Sequence, residues 1–289
     1  MSSLSKASPD TSYNAMNLRE TTRHFLLRHG IELDPSLDEQ QLVDEAAVVK
    51  FVASAMIEPG DTVVEVGPGL GNITEALLSA ASRVIAVEKN PKYAPVLLDR
   101  FRGSTKLEII TGDALKISYP RHDRLISNLP YMISEALIQM LPRLSFRAAA
   151  FIVSESFGHR VTAGVGVAGY TKLSYVTQLY FTVNKVDDVP PDAYIPEPGT
   201  STWIVSLKPR EPETKVERVM RELLVQGDKL VKNGLREALI RAGCCETKRE
   251  ARSRMAHMVF SGRVWGKSVS RLSLRELIKM EEALGVNLQ

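Results

Sequence analysis

Residues 62–88 read TVVEVGPGLGNITEALLSAASRVIAVE, and the fold follows from how this stretch divides. Residues 62–66 are a short apolar run of strand type, and residues 67–71, GPGLG, are a turn. NITEALLSAA then has helical spacing, and RVIAVE is the next strand. A strand, a glycine turn, a helix and a second strand form one βαβ unit of a parallel sheet. The glycines let backbone approach a ligand, and the helix start offers free N–H groups. A dinucleotide fingerprint, GxGxxG, would need Gly or Ala at position 72, where Asn72 stands. The pattern present is ExGxGxG, with Glu65, Gly67, Gly69 and Gly71. Glu65 at the strand end repels a pyrophosphate and suits a cationic or zwitterionic ligand.

The same rhythm extends in both directions. Upstream, ETTRHFLLRHG and DEAAVVKFVASAM are predicted helices. Downstream come the helix NPKYAPVLLDRFR, the strands LEIIT and RLISNL, the helix SEALIQMLPRL and the strand AAAFIVS. This alternation predicts an α/β fold with a doubly wound, mostly parallel sheet. YVTQLYFTVNKVDDV alternates with period two and leads without a helix-length gap into WIVSLKP, predicting an antiparallel end to the sheet. After the Pro209–Pro212 segment the chain reads as helical throughout.

Two further acids stand at strand ends, Glu88 closing VIAVE and Asp113 in TGDAL. A single acid in such a place is usually a solvated loop carboxylate. Three at successive strand ends, behind this glycine loop, mark the ligand crevice of an open α/β sheet. Glu88 suits ribose hydroxyls and Asp113 an adenine amine. A ligand needing these groups and no phosphate cradle is S-adenosylmethionine.

Residues 125–134, LISNLPYMIS, end a strand with an amide, a proline and an aromatic ring. Proline keeps Leu129 extended, so its carbonyl stays outside any helix. If the Asn128 side-chain oxygen and that carbonyl accept the two N–H bonds of an exocyclic adenine amine, its lone pair is aimed at a methyl donor. Tyr131 then stacks on the base. Taken alone, the motif is equally a plain turn with a packed tyrosine.

The bulk numbers agree with a globular chain. It has 289 residues, 44% of them apolar and 25% charged. No apolar run reaches the roughly 18 residues of a membrane span, and the N-terminus lacks the apolar stretch of a secretory signal. A cytoplasmic protein is expected. Cys244 and Cys245 are adjacent and the five histidines lack ligand spacing, so neither a disulfide nor a metal site is expected. From Lys208 onward there are 18 Lys or Arg against 11 Asp or Glu, while the preceding residues lean acidic. A basic appendage suggests a polyanion partner. Its centre, KREARSRMAHMVFSGRVWGKSVSR, places Lys248, Arg249, Arg252, Arg254, Arg263, Lys267 and Arg271 around Trp265 as candidate RNA contacts.

The pieces VVEVGPGLGNIT, AVEKNP, GDAL, SNLPYMIS, KLSYVTQLYF and VPPDAYIPEP, with the helical C-terminus, resemble the rRNA adenine N6,N6-dimethyltransferase family across roughly residues 26–285. The resemblance implies a class I S-adenosylmethionine-dependent methyltransferase with a Rossmann-like seven-stranded sheet and a small all-helical C-terminal domain. It implies dimethylation of two adjacent adenines near the 3′ end of small-subunit rRNA, on a ribosomal precursor, by a monomer. The implied boundaries are a disordered tail over 1–20, a methyltransferase domain over 21–208 and an RNA- or ribosome-contacting domain over 213–289. By position, Gly67 lines the methionine part of the cofactor, Glu88 its ribose and Asp113 its adenine, with Glu65 and Gly69 also among the cofactor-binding residues. Asn128 closes the site beside the sulfonium, and Gln40 and Leu42 touch the amino-acid end. Asn128, Leu129, Pro130 and Tyr131 form the catalytic motif.

The chain departs from the family pattern SLGQ(H/N)FL at Asp38, Glu39 and Gln41, and two lysines of the pattern are Glu155 and Gly199 here. The cap over the cofactor and the RNA surface are therefore expected to differ. Two alternatives are an enzyme acting on large-subunit rRNA and a methyltransferase-fold assembly factor with weak or no activity.

Overall fold

The computed structural model describes residues 16–258 and 262–288. The chain divides into two compact units, one of residues 1–140, 144–158 and 184–208, the other of 141–143, 159–183 and 209–289. The tail expected over 1–20 lies outside the described residues as far as residue 15. Beyond it, Asn17 caps helix α1, Leu18–Arg28, through reciprocal bonds with Glu20.

In the first unit a two-residue strand β1, Gln41–Leu42, precedes helix α2, Glu45–Ser54, which Asp44 caps. Then follow β2 (Thr62–Val66), α3 (Asn72–Ala80), β3 (Arg83–Glu88), α4 (Ala94–Arg100), β4 (Leu107–Thr111), β5 (Arg124–Asn128), α5 (Ser134–Met140), β6 (Ala148–Ser154) and α6 (Glu155–Thr162). After α7 (Lys172–Tyr180) come β7 (Phe181–Val189), β8 (Tyr194–Ile195) and β9 (Thr202–Pro209). Seven strands form one sheet in the order β4-β3-β2-β5-β6-β9-β7. The pairs from β4 through β6 are parallel, and β9 runs antiparallel to β6. The apolar strands are buried on both faces, as parallel strands covered by helices must be. From β2 the chain winds one way through β3 and β4 and then returns to β5, so the topological switch lies between β2 and β5.

A second, two-stranded sheet pairs β1 with β8, Gln41 opposite Ile195 and Leu42 opposite Tyr194. Both strands are too short to show periodicity in sequence. This pairing ties the segment before α2 to the VPPDAYIPEP stretch.

The second unit adds α8 (Lys215–Leu224), α9 (Val231–Arg241), α10 (Lys248–Ala256), α11 (Gly262–Trp265) and α12 (Leu274–Asn287). Its core joins Val219, Leu223, Leu235, Leu239, Leu277 and Leu284 with Tyr175 and Leu179. Those last two residues correct the sequence reading, in which 175–180 continues a strand. Thr171 and Ser174 make a reciprocal cap, and Tyr175 and Leu179, four apart, face one side of a helix. Residues 159–183, grouped by sequence with the sheet, cluster with the helical unit.

Candidate active site

The carboxyl ends of β2, β3, β4 and β5 open into one cavity of about 430 Å3. It lies at the switch point and has the size of a small-molecule site, roughly 300–1,000 Å3. Of the sequence-predicted cofactor residues, Gln40, Leu42, Gly67, Gly69, Glu88, Asp113 and Asn128 all line it.

Gly67, Gly69 and Gly71 have φ of +71°, +55° and +87°. At Gly69 a Cβ would stand 2.6 Å from the Gln41 Oε1, so the Gln41 amide would have to move to admit one. The tight loop directs its own N–H groups inward. Gly67 N donates to the Val87 carbonyl at 3.0 Å and Gly71 N to that of Pro68 at 2.9 Å. Gly69 N donates to Glu88 Oε2 at 3.2 Å and Leu70 N to Gln41 Oε1 at 3.1 Å. A pyrophosphate would find these donors already taken. A ligand bearing hydroxyl and amino groups meets carboxylates instead, and S-adenosylmethionine fits that set.

Glu88 is 6% exposed and also receives Asn90 N at 2.7 Å. Burial outweighs these donors and raises its carboxyl above the usual range. Asp113 behaves oppositely. Its Oδ1 accepts Leu115 N at 3.0 Å, and Lys89 Nζ stands 3.2 Å from its Oδ2. That backbone N–H first, and the Lys89 ammonium with it, hold the Asp113 carboxyl below the usual value.

Glu65 requires a correction. It is 1% exposed, it is absent from the cavity wall, and its Oε2 accepts the Thr74 hydroxyl at 2.6 Å. Successive strand side chains alternate faces, and Glu65 falls on the α3 side, beneath the glycine loop. Burial there raises its pKa to about 7.

A smaller recess adjoins the cavity and is lined by Leu129, Tyr131, Tyr194, Pro198 and Thr202. Asp38, Gln40, Asn128 and Pro130 line both and form the wall between them. Leu129 N donates to the Ile152 carbonyl at 2.9 Å, while the Leu129 side chain is buried. Among the described residues no hydrogen bond is made by the Leu129 carbonyl or the Asn128 side-chain amide. Tyr131 is 39% exposed. Two oxygen acceptors and an aromatic face thus stand together at the tip of β5.

The basic positions divide into two groups. Lys248, Arg249, Arg252, Arg263 and Arg271 are exposed. Arg254 and Lys267, also candidate RNA contacts, are half-buried and make bonds within the helical unit. Arg254 donates to the Asn287 carbonyl at 3.0 Å, closing the end of α12, and Lys267 pairs with Glu276 at 2.6 Å. The Lys267 bond is the main cause that lowers the Glu276 carboxyl to about 2. Among the described residues no cluster of three or more His, Cys, Asp or Glu could hold a metal, and no helix is long and apolar enough to cross a membrane.

Comparison with known proteins bears on the chemistry. The profile of the family described as "Ribosomal RNA adenine dimethylase" matches residues 32–249. A relative in Methanothermobacter thermautotrophicus, "Probable ribosomal RNA small subunit methyltransferase A", is 32% identical over 220 residues, covering 75% of this chain and 80% of its own. A relative of the same name in Thermococcus onnurineus is 29% identical and covers 93% and 99%. Among solved structures, a dimethyladenosine transferase from Plasmodium falciparum superposes with a TM-score of 0.59 at 22% identity, covering 84% of this chain and 97% of that one, a likeness of fold. With that fold, and with a cavity built for S-adenosylmethionine, the chain belongs to the ribosomal RNA adenine dimethylase family, enzymes that take methyl groups from this cofactor and place them on adenines of ribosomal RNA.

Proposed function

We propose that this protein dimethylates, at N6, two adjacent adenines near the 3′ end of small-subunit rRNA, acting in the cytoplasm as a monomer on a small-subunit precursor. The names of the archaeal relatives support the small subunit as target. The observation that carries the chemistry is the pair of unpartnered acceptors, Asn128 in the wall shared by cavity and recess and the Leu129 carbonyl next to it on the recess side. S-adenosylmethionine, when bound, supplies a methyl already activated by its sulfonium. In the cavity, Glu88 receives the ribose hydroxyls, Asp113 the adenine amine, and Gln40, Leu42 and Gly67 border the amino-acid end.

The target adenine leaves its stack and lies against Tyr131 at the mouth of the recess, whose own volume of about 20 Å3 holds little more than one water, and this favours an unpaired or helix-end base. Its amine is a weak nucleophile because the lone pair is delocalised into the ring. Asn128 Oδ1 and the Leu129 carbonyl accept its two N–H bonds, draw the nitrogen toward tetrahedral geometry and point the lone pair into the cofactor cavity, past Asn128 at its edge. Tyr131 stacks on the base, an interaction worth about 1–3 kcal/mol. Orientation of this kind supplies on the order of 7–11 kcal/mol of a barrier. Pro130 keeps the Leu129 carbonyl from being recruited into the turn that follows. On the helical unit, Lys248, Arg249, Arg252, Arg263 and Arg271 contact rRNA phosphates. The intact set of cavity residues favours an enzyme over an inactive assembly factor.

Incubation of the protein with isotopically labelled cofactor and, in parallel reactions, unmethylated small and large subunits, followed by mapping of the label, tests the reading. Label at two neighbouring adenines is expected. Label confined to large-subunit rRNA, or none on either subunit, would overturn it.

A further inference from the structure

Residues 37–42 line the cofactor cavity, and three of their side chains reach three separate loops. Gln41 Oε1 accepts Leu70 N of the glycine loop at 3.1 Å. Glu39, 6% exposed, accepts Asn90 Nδ2 at 3.0 Å and Lys92 Nζ at 2.6 Å, both beyond β3. Asp38 Oδ2 accepts Met132 N, beyond β5, at 3.1 Å. These are the three positions at which the segment departs from the family pattern. The departures build a clasp.

The Asp38 tie reaches the catalytic loop. Residues Tyr131–Ile133 form a single 3-10 turn following Pro130. The first N–H groups of such a turn have no carbonyl to reach within it, and Asp38 provides Met132 N with an acceptor. Asp38 itself has φ 60° and ψ 34°, the left-handed conformation. Glycine adopts this shape freely and aspartate tolerates it. Where the family pattern has glycine, this chain has an aspartate in the left-handed conformation, and with it a carboxylate. Asp38 also stands in the wall common to cavity and recess.

We propose that Asp38 is a positioning residue for methyl transfer. Its carboxylate fixes the turn after Pro130, and so the directions of the Leu129 carbonyl and the Tyr131 ring. This rests on the assignment of residues 128–131 as the seat of the target adenine.

Two substitutions separate the carboxylate from the backbone. Asp38→Gly keeps the left-handed conformation and removes the acceptor. Asp38→Asn keeps both, because an amide oxygen accepts the same N–H. On small subunits, Asp38→Gly is expected to lower kcat about tenfold, the upper range for one hydrogen bond, with cofactor Kd within about twofold of the unsubstituted protein. Asp38→Asn restores most of the rate. Amide hydrogen exchange provides a readout without turnover, since exchange at Met132 quickens in the glycine variant and slows again in the asparagine variant. An unchanged rate and unchanged exchange in Asp38→Gly would overturn the proposal, as would a cofactor affinity that falls in step with kcat. Absence of methyl transfer by the unsubstituted protein, with the exchange pattern as expected, would count against the proposed function and leave the tie standing.

Discussion

Glu65 is a carboxylate that the fold keeps from water beneath a loop of glycines, with the Thr74 hydroxyl as its hydrogen-bond donor. Its pKa is about 7 in the folded protein against an ordinary 4.5. Between these values the folded state holds a proton that the unfolded state has released, so the contribution of Glu65 to stability is greatest below pH 4.5 and declines as pH rises toward 7. Glu65→Gln removes this dependence. Denaturant titrations at about pH 4.5 and pH 8 should show the difference between unsubstituted protein and variant shifting by up to about 3 kcal/mol, in favour of the variant at the higher pH. The catalytic and cofactor residues separate in a different measurement. Asn128→Ala is expected to reduce methyl transfer by roughly 100-fold or more, as loss of a positioned polar group does, with little change in cofactor Kd by calorimetry. Asp113→Ala should instead weaken cofactor binding about 10- to 100-fold, as loss of a charged acceptor does. The acids at strand ends were legible in sequence because a parallel sheet brings those ends to one edge. The inward turn of Glu65 was not, because a one-residue change of strand parity leaves composition and spacing untouched. The internal partners of Arg254 and Lys267 were not legible either, because Asn287 and Glu276 lie further along the chain on α12.

At the scale of elements, the glycine loop and the segment of residues 34–42 act as one assembly. Gly69 leaves room for the Gln41 amide, and that amide holds Leu70 N. Gly69→Ala places a methyl in the space of the Gln41 side chain at a left-handed backbone position. An affinity loss for cofactor of about tenfold is expected from one displaced hydrogen bond and local strain, read by calorimetry. The strand–turn–helix rhythm around this loop was readable because its strands are continuous apolar runs and its helices have clear starts. Helix α7 was not. Its residues alternate in polarity over the span where Tyr175 and Leu179 also fall four apart, and the Thr171–Ser174 cap decides between the two periods. The β1–β8 pair was invisible for lack of length, yet it anchors the segment that holds Asp38.

For the whole molecule, charge is the property most plainly written in the sequence, with the excess of Lys and Arg lying beyond residue 208. On α10, Lys248, Arg249 and Arg252 are exposed. Replacing all three by alanine should weaken rRNA binding and flatten its dependence on log salt by about 0.7–0.9 for each phosphate no longer neutralised, with cofactor Kd unchanged. Arg254→Ala should act through stability, costing about 1 kcal/mol for the missing bond to the Asn287 carbonyl. Sequence composition separates a sheet-bearing part from a helical part but misses how the chain is shared between them. The helical core takes Tyr175 and Leu179 from α7, and the chain then returns to the sheet for β9 before α8 begins. A ribosome synthesising this protein therefore releases the first helix of one body before the last strand of the other. Neither body is one continuous stretch of chain, and a cut at residue 208 would leave α7 joined to the sheet rather than to the helices it clusters with.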